Sequence, residues 1–468
     1  MQQQRQQLEA QLYRLRPALK LDPVTNTQVA AALRAAAPQG LLIEFQKYRP
    51  YGSNAKGKAE WGPERYLALL LRPDGTIRSI PLGEAAPIEK LVAKALDLSE
   101  RKLGDVDEPL QALSEKLLGP LRQELAGIQE LFISPDAELN RLPFAALPMP
   151  GAPGVPAKLL SEALQLRLLT SGRDLVRLQQ PGRSGGPALL VANPEFTPGA
   201  ITPACDPKAT PPLRQAGDLW SALPCTALEA TQLMPLLQVP RPLTGRDATT
   251  ANVLASRRPR ILHIASHGFF WSEQEARDQA RSCGADVSGA QRSAPSVQSS
   301  AGIVSTATGN TPIAPAAPTT SQTFAALQRS GIVLAGANQP CRSAEQDGYL
   351  TAAEVTGMDL EGTELTTLSA CQTGLGDVRS GEGVYGLQRA LAVAGSRSTL
   401  LSLWMVSDAA TQEFMTEFYK RLRRGEGRAA ALAATQAAFR NHSNKDYRHV
   451  YYWAAFQLSG DWRPVPGW

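Results

Sequence analysis

The chain has 468 residues, 43% of them hydrophobic, and a formal net charge of +5. At roughly 100–200 residues per domain this suggests two or three domains. Lys and Arg are scattered, which excludes the continuous basic face of a nucleic-acid-binding protein. The five cysteines, Cys205, Cys225, Cys283, Cys341 and Cys371, include no CxxC pair. Such a sparse, odd set argues against a disulfide framework and a structural metal site, and for a reducing compartment.

Leu8, Leu12 and Leu15 recur at helical spacing before Pro17, so residues 1–20 read as an N-terminal helix. The opening Met1-Gln2-Gln3-Gln4-Arg5-Gln6-Gln7 lacks the apolar core of a signal peptide. No run reaches the roughly 20 apolar residues of a membrane span. A cytoplasmic protein without a span is expected.

A helix is predicted over 25–36 and strands over 41–48 and 66–72. The turn Pro73-Asp74-Gly75 leads to a hairpin partner at 76–82. Helices follow over 88–97 and 108–127, then a strand at 130–134 ended by Pro135-Asp136, and an apolar loop over 137–148. This first part contains neither Cys nor His. The Pro/Gly-rich stretch 180–187 marks a boundary, giving units 21–180 and 187–468.

After it come a strand at 188–192, a helix at 227–234 stopped by Pro235, a short strand at 242–244 and a helix at 249–256. A strand over 260–266 leads to His267 and Gly268. Residues 274–322 are rich in Ser, Ala, Thr, Pro and Gly and read as a mobile insertion. Strand 331–334, a helix at 352–355 and the strand ending at Cys371 follow. The remaining elements are a helix over 382–394, a strand over 399–406 with Trp404, helices over 409–424 and 428–440, and a last strand at 453–458. Alternating strands and helices predict an α/β fold with a mostly parallel sheet covered on both faces.

In open α/β sheets, reactive groups sit where strands end. His267 and Cys371 are both expected there. A thiol attacks a carbonyl as thiolate, and a neighbouring imidazole makes the thiolate accessible at neutral pH. The N–H groups of Gly268 and Cys371 are candidates for an oxyanion hole. His263, four residues earlier on the same face, reads as a packing residue. Gly381-Glu382-Gly383-Val384-Tyr385-Gly386 matches G-x-G-x-x-G, but it starts ten positions after Cys371 rather than directly after a strand. Glu382 would also place a negative charge where a pyrophosphate belongs. The match reads as chance.

Several motifs resemble the CHAT family, caspase-like proteases related to separases. They are Leu262-His263-Ile264-Ala265-Ser266-His267-Gly268, Asp347-Gly348-Tyr349-Leu350-Thr351 and Leu368-Ser369-Ala370-Cys371-Gln372-Thr373-Gly374. Gly381-Glu382-Gly383-Val384, Ser402-Leu403-Trp404-Met405-Val406-Ser407-Asp408 and Tyr451-Tyr452-Trp453-Ala454-Ala455-Phe456 continue the likeness, and Arg141-Leu142-Pro143-Phe144-Ala145-Ala146-Leu147-Pro148 precedes it. His267 and Cys371 are 104 positions apart (371 minus 267). Caspases show roughly 50, and the insertion supplies about half of the gap.

The resemblance implies a caspase-like three-layer sandwich preceded by a degenerate pseudo-protease domain. It implies His267 as base and Cys371 as nucleophile of a cysteine endopeptidase, with no metal or organic cofactor. It further implies a protein substrate, of the pore-forming or signalling kind in bacterial defence. Some relatives read a basic residue with an acid two positions before the Cys; here Ser369 stands there. Asp408 resembles the pocket acid of separases, and equally reads as a helix N-cap. Trp404 is a further pocket candidate, or a core aromatic. Arg277, Arg281 and Arg292 offer self-cleavage positions. The competing readings are a catalytically silent interaction scaffold, and acyl transfer by the same thiolate.

Overall fold

The computed structural model describes residues 23–53, 59–150, 158–180, 182, 185–206, 218–271, 327–339, 348–371, 377–379 and 383–468. The predicted helix within 1–20, the insertion 274–322 with its arginines, and Gly381-Glu382 lie outside them.

The first half begins with helix α1 (Asn26–Ala36). Thr25 and Gln28 form a reciprocal capping box at its start. Strands β1 (Gly40–Tyr48), β2 (Tyr51–Ser53), β3 (Ala59–Trp61), β4 (Arg65–Leu71) and β5 (Ile77–Glu84) follow. Helices α2 (Ala85–Glu100), α3 (Asp107–Leu117) and α4 (Arg122–Leu125) come next. The single helix predicted over 108–127 is thus broken: Gly119-Pro120 turns the chain through a 3-10 segment, Gly119–Leu121. Then come β6 (Glu130–Ser134), α5 (Leu160–Ala163), β7 (Gln165–Leu168) and α6 (Arg173–Gln179).

The second half contains β8 (Leu189–Pro194), α7 (Pro224–Leu237), β9 (Leu243–Gly245), α8 (Thr250–Leu254) and β10 (Ile261–Phe270). It continues with β11 (Ser330–Val333), β12 (Tyr349–Thr351), α9 (Ala352–Thr356), β13 (Leu365–Cys371), β14 (Asp377–Arg379) and β15 (Gly383–Tyr385). Helix α10 (Leu387–Ala394), β16 (Ser398–Ser402), α11 (Asp408–Arg423), α12 (Arg428–Arg440), α13 (Val450–Trp453) and β17 (Phe456–Gly460) complete it.

Four expectations differ. Pro235 lies inside α7 rather than ending it; Leu233 and Leu237 are buried in the core on either side and hold the last turn. The helix predicted from residue 382 starts later, at Leu387, after the β14–β15 hairpin. The strand predicted over 399–406 stops at Ser402. Residues 450–453 are helical, so the last strand begins at Phe456.

One thirteen-stranded sheet runs through both halves, in the order β12-β11-β10-β13-β16-β17-β7-β6-β1-β4-β5, with β8 also paired to β10 and β9 to β8. Parallel pairing dominates its centre: β1–β6, β6–β7, β8–β10, β10–β13 and β13–β16. The halves meet at β7 and β17, where Leu168 pairs with Ser459. Alternation places Leu41, Ile43, Ile261 and Leu365 in one core with α2, α3, α7, α11 and α12. Leu42 packs on the opposite face with α1 and α6. Leu262 and Leu368 pack there with α9 and α10. The result is a three-layer, mostly parallel α/β sandwich.

Candidate active site

β10 lies between β13 on one border and, on the other, β8 beside Leu262 to Ala265 and then β11 beside Gly268 to Phe270. From Ile261 to His267 it pairs in parallel with Leu365 to Cys371 of β13, and the last register pair is His267 with Cys371. From Gly268 to Phe270 it pairs antiparallel with β11, Gly268 standing opposite Ile332. His267 is therefore not at the end of its own strand, as the sequence suggested. It is at the end of the parallel ladder, beside the last residue of β13.

The His267 ring is held on three sides. Phe196, just beyond β8, and Trp220, just before α7, each lie with ring centroids 5.2 Å from it. Nε2 is 2.8 Å from the Ser221 carbonyl oxygen. A carbonyl only accepts, so this contact places a ring proton on Nε2. His267 is 7% exposed.

The clamp has its own supports. The Asn338 side chain accepts from the Trp220 N–H at 2.8 Å and donates to the Trp220 carbonyl at 2.8 Å. The same amide donates to Thr197 at 2.9 Å. Trp220 Nε1 donates to the Tyr349 hydroxyl at 3.0 Å. Gly348, at φ +77°, lets the chain before Tyr349 pass against the Ala337 backbone, where a Cβ would collide. Phe196, Trp220, Phe269, Val333 and Tyr349 form one apolar cluster around the imidazole. Sequence reading missed Phe196, Trp220, Ser221 and Asn338. The Ser221 contribution is main-chain and leaves no residue signature.

A second polar chain lies deeper under the same ladder. His263 Nδ1 is 3.1 Å from the Tyr419 hydroxyl, which donates to Thr367 Oγ1 at 2.8 Å. His263 Nε2 lies 2.9 Å from Glu229 Oε1, and both residues are fully buried. That approach lacks the alignment of a hydrogen bond. Ser369 Oγ donates to Glu229 Oε2 at 3.2 Å. So a carboxylate from α7 meets the position two before Cys371, although no acid stands there in the sequence.

Asp408 is not the cap of its own helix; Ser407 occupies that place. Its Oδ2 instead accepts the Cys225 N–H, at 2.7 Å, at the start of α7. Burial pushes the Asp408 carboxyl up to about 7, the Cys225 N–H working against this and the charge of Glu229 adding to it. Asp408 and Ser369 thus reach one another's surroundings through Glu229. Trp404 does not join them. It is buried at 2% exposure and donates from Nε1 to the Tyr451 carbonyl at 2.9 Å.

Cys205 and Cys225 form a disulfide, against the expectation of unpaired cysteines. The fold brings together two residues 20 positions apart, which a count of cysteines does not register. Among the described residues, no group of three or more His, Cys, Asp or Glu is placed to hold a metal ion. Among them, too, no helix is long and apolar enough to cross a membrane.

Human tetratricopeptide repeat protein 28 is 36% identical over 115 residues, 25% of this chain and 4% of that protein. Its mouse counterpart is 34% identical over 111 residues, 24% of this chain and 4% of that protein. The chain thus spans a small fraction of the curated relatives it matches. Among solved structures, the Saccharomyces cerevisiae separase–securin complex aligns with a TM-score of 0.48 at 8% identity, over 92% of this chain and 31% of that one. The Porphyromonas gingivalis RgpB complex of pro- and mature domains aligns at 0.38 and 12% identity, over 81% and 76%. The CHAT domain sequence model matches residues 107–461, most of the chain. The chain belongs to the CHAT domain family.

Proposed function

We propose that the chain is a cysteine endopeptidase acting through His267 and Cys371. The observation that carries this reading is their register: among the described residues they are the last pair of the parallel β10–β13 ladder, and one imidazole nitrogen lies against the Ser221 carbonyl. Nδ1 of His267 takes the thiol proton of Cys371, and the thiolate attacks the scissile carbonyl carbon. The proton passes to the leaving amine as the peptide C–N bond breaks, giving a thioester. Water, deprotonated by the same nitrogen, then releases the acid and restores the thiol. The N–H groups of Gly268 and Cys371 hold the oxyanion formed in both steps.

Substrate choice after a basic residue would fall to Asp408, with Ser369 and the Glu229 carboxylate beside it. We leave Trp404 to packing. Residues 21–180 are read as the non-catalytic companion unit and 187–468 as the protease unit. The test is hydrolysis of fluorogenic Arg and Lys peptides by the wild type, Cys371→Ala and His267→Ala. Turnover by the wild type alone is expected. Equal signal from all three would remove the peptidase reading and leave the scaffold.

A further inference from the structure

At the opposite edge of the second-half sheet, the residues just before β10, β13 and β16 are Arg260, Glu364 and Arg397. With Asp461 and Arg463, just after β17, they line a cavity of about 810 Å³. Fully buried Arg428 is paired with both acids: its guanidinium lies 2.5 Å from Glu364 Oε2 and 3.3 Å from Asp461 Oδ1. Arg397 approaches Asp461 at 3.1 Å and Glu364 at 3.6 Å. Arg463 grips both oxygens of Asp461, at 2.9 and 2.8 Å.

The charges do not balance. Among the described residues, four arginines (260, 397, 428 and 463) face two carboxylates (364 and 461), leaving two positive charges in excess. Burial works to raise the Asp461 carboxyl, but Arg463 and Arg428 outweigh it and hold the group ionised, well below the usual range. Both acids are spent on the other three arginines. The Arg260 guanidinium forms no ion pair or hydrogen bond among the described residues, and its Nη2 borders the cavity beside Gly467. Arg428 Nε is likewise buried without a hydrogen-bond partner.

We propose that this cavity binds a phosphorylated small molecule, with Arg260 as its principal free guanidinium. A phosphate monoester carries about −1.5 to −2 charge at pH 7, which matches the surplus, whereas a monocarboxylate would neutralise half of it. The arginine fork suits phosphate oxygens in a bidentate manner. The volume falls in the range of small-molecule sites, about 300–1,000 Å³, and exceeds the needs of a bare phosphate, so the ligand carries its phosphate on a larger body.

Calorimetric titration of the full chain with ATP, inorganic tripolyphosphate and adenosine tests this without reference to peptidase activity. Saturable binding of both phosphate probes is expected, about ten-fold or more weaker in Arg260→Gln. Adenosine should give no binding. The variant should melt with the wild type, because Arg260 supports no other described group. Absence of saturable phosphate binding, equal affinity in Arg260→Gln and in Arg260→Glu, or adenosine binding as tight as ATP would each overturn the proposal.

Discussion

The two halves of the sheet end their parallel strands in opposite ways. In the first half, carboxylates close the ends of β1 and β6. Asp136 accepts the N–H of Lys47 at 2.7 Å, the Gln46 side-chain amide at 3.2 Å and the N–H of Ala137 at 2.9 Å. Glu44 accepts the Gly172 N–H at 2.6 Å. In the second half the ladder ends in an imidazole, and what pins it is an acceptor, the Ser221 carbonyl. These acids are engaged with main-chain donors. A histidine is the side chain suited to moving a proton near neutral pH. The same scaffold position is therefore used for stitching in one half and for a candidate base in the other.

The strongest way to break this contrast is substitution at the two strand ends. His267→Ala should lower peptide hydrolysis by about 10³-fold or more, with little change in melting. Asp136→Ala, measured in the same assay, should change turnover by no more than its effect on folded population. Comparable losses from both would end the division of labour.

Next comes the clamp. Asn338→Ala frees the Trp220 backbone, so the imidazole should wander. A fall in kcat of about 10- to 100-fold, with KM nearly constant, is expected from misplacement of the base. A change confined to KM would instead assign Asn338 to substrate contact. The first half should show its role in stability: Asp136→Ala leaves N–H groups unpaired and should cost about 1–3 kcal/mol by chemical denaturation.

The smallest effect is a pH slope. The folded protein holds the Asp408 proton more tightly than the unfolded chain does. Its contribution to stability is therefore full below the ordinary carboxylate value of 3.8, and is lost as the pH rises through about 7. Asp408→Asn keeps an oxygen for the Cys225 N–H and should flatten the decline of melting temperature between pH 5 and 8. Parallel curves for both proteins would show that Asp408 titrates normally.

Much of the architecture was legible because the buried strands are short apolar runs ended by turn residues. Leu131-Phe132-Ile133 and Leu365 to Leu368 are examples. The pairing of His267 with Cys371 was foreshadowed by residue type and order, but the partner exchange along β10 was not, since nothing local in Gly268-Phe269-Phe270 names its neighbour. The β14–β15 hairpin escaped notice because Asp377-Val378-Arg379 and Gly383-Val384-Tyr385 are too short to show a period. Glu229 was invisible as a neighbour of Ser369: the contact spans 140 positions and depends on how α7 lies on the sheet. Trp220 and Asn338 reach His267 only through contacts between loops far apart in sequence, where composition carries no signal.

The junction at β7 and β17 has a consequence for the handling of the chain. Each of these strands closes what would otherwise be an open, partly apolar sheet border of the other half. Severing the halves would expose the facing borders of β7 and β17, and such borders recruit further strands from other molecules. Each half thus shields its neighbour from self-association, so the intact pair is the unit to express.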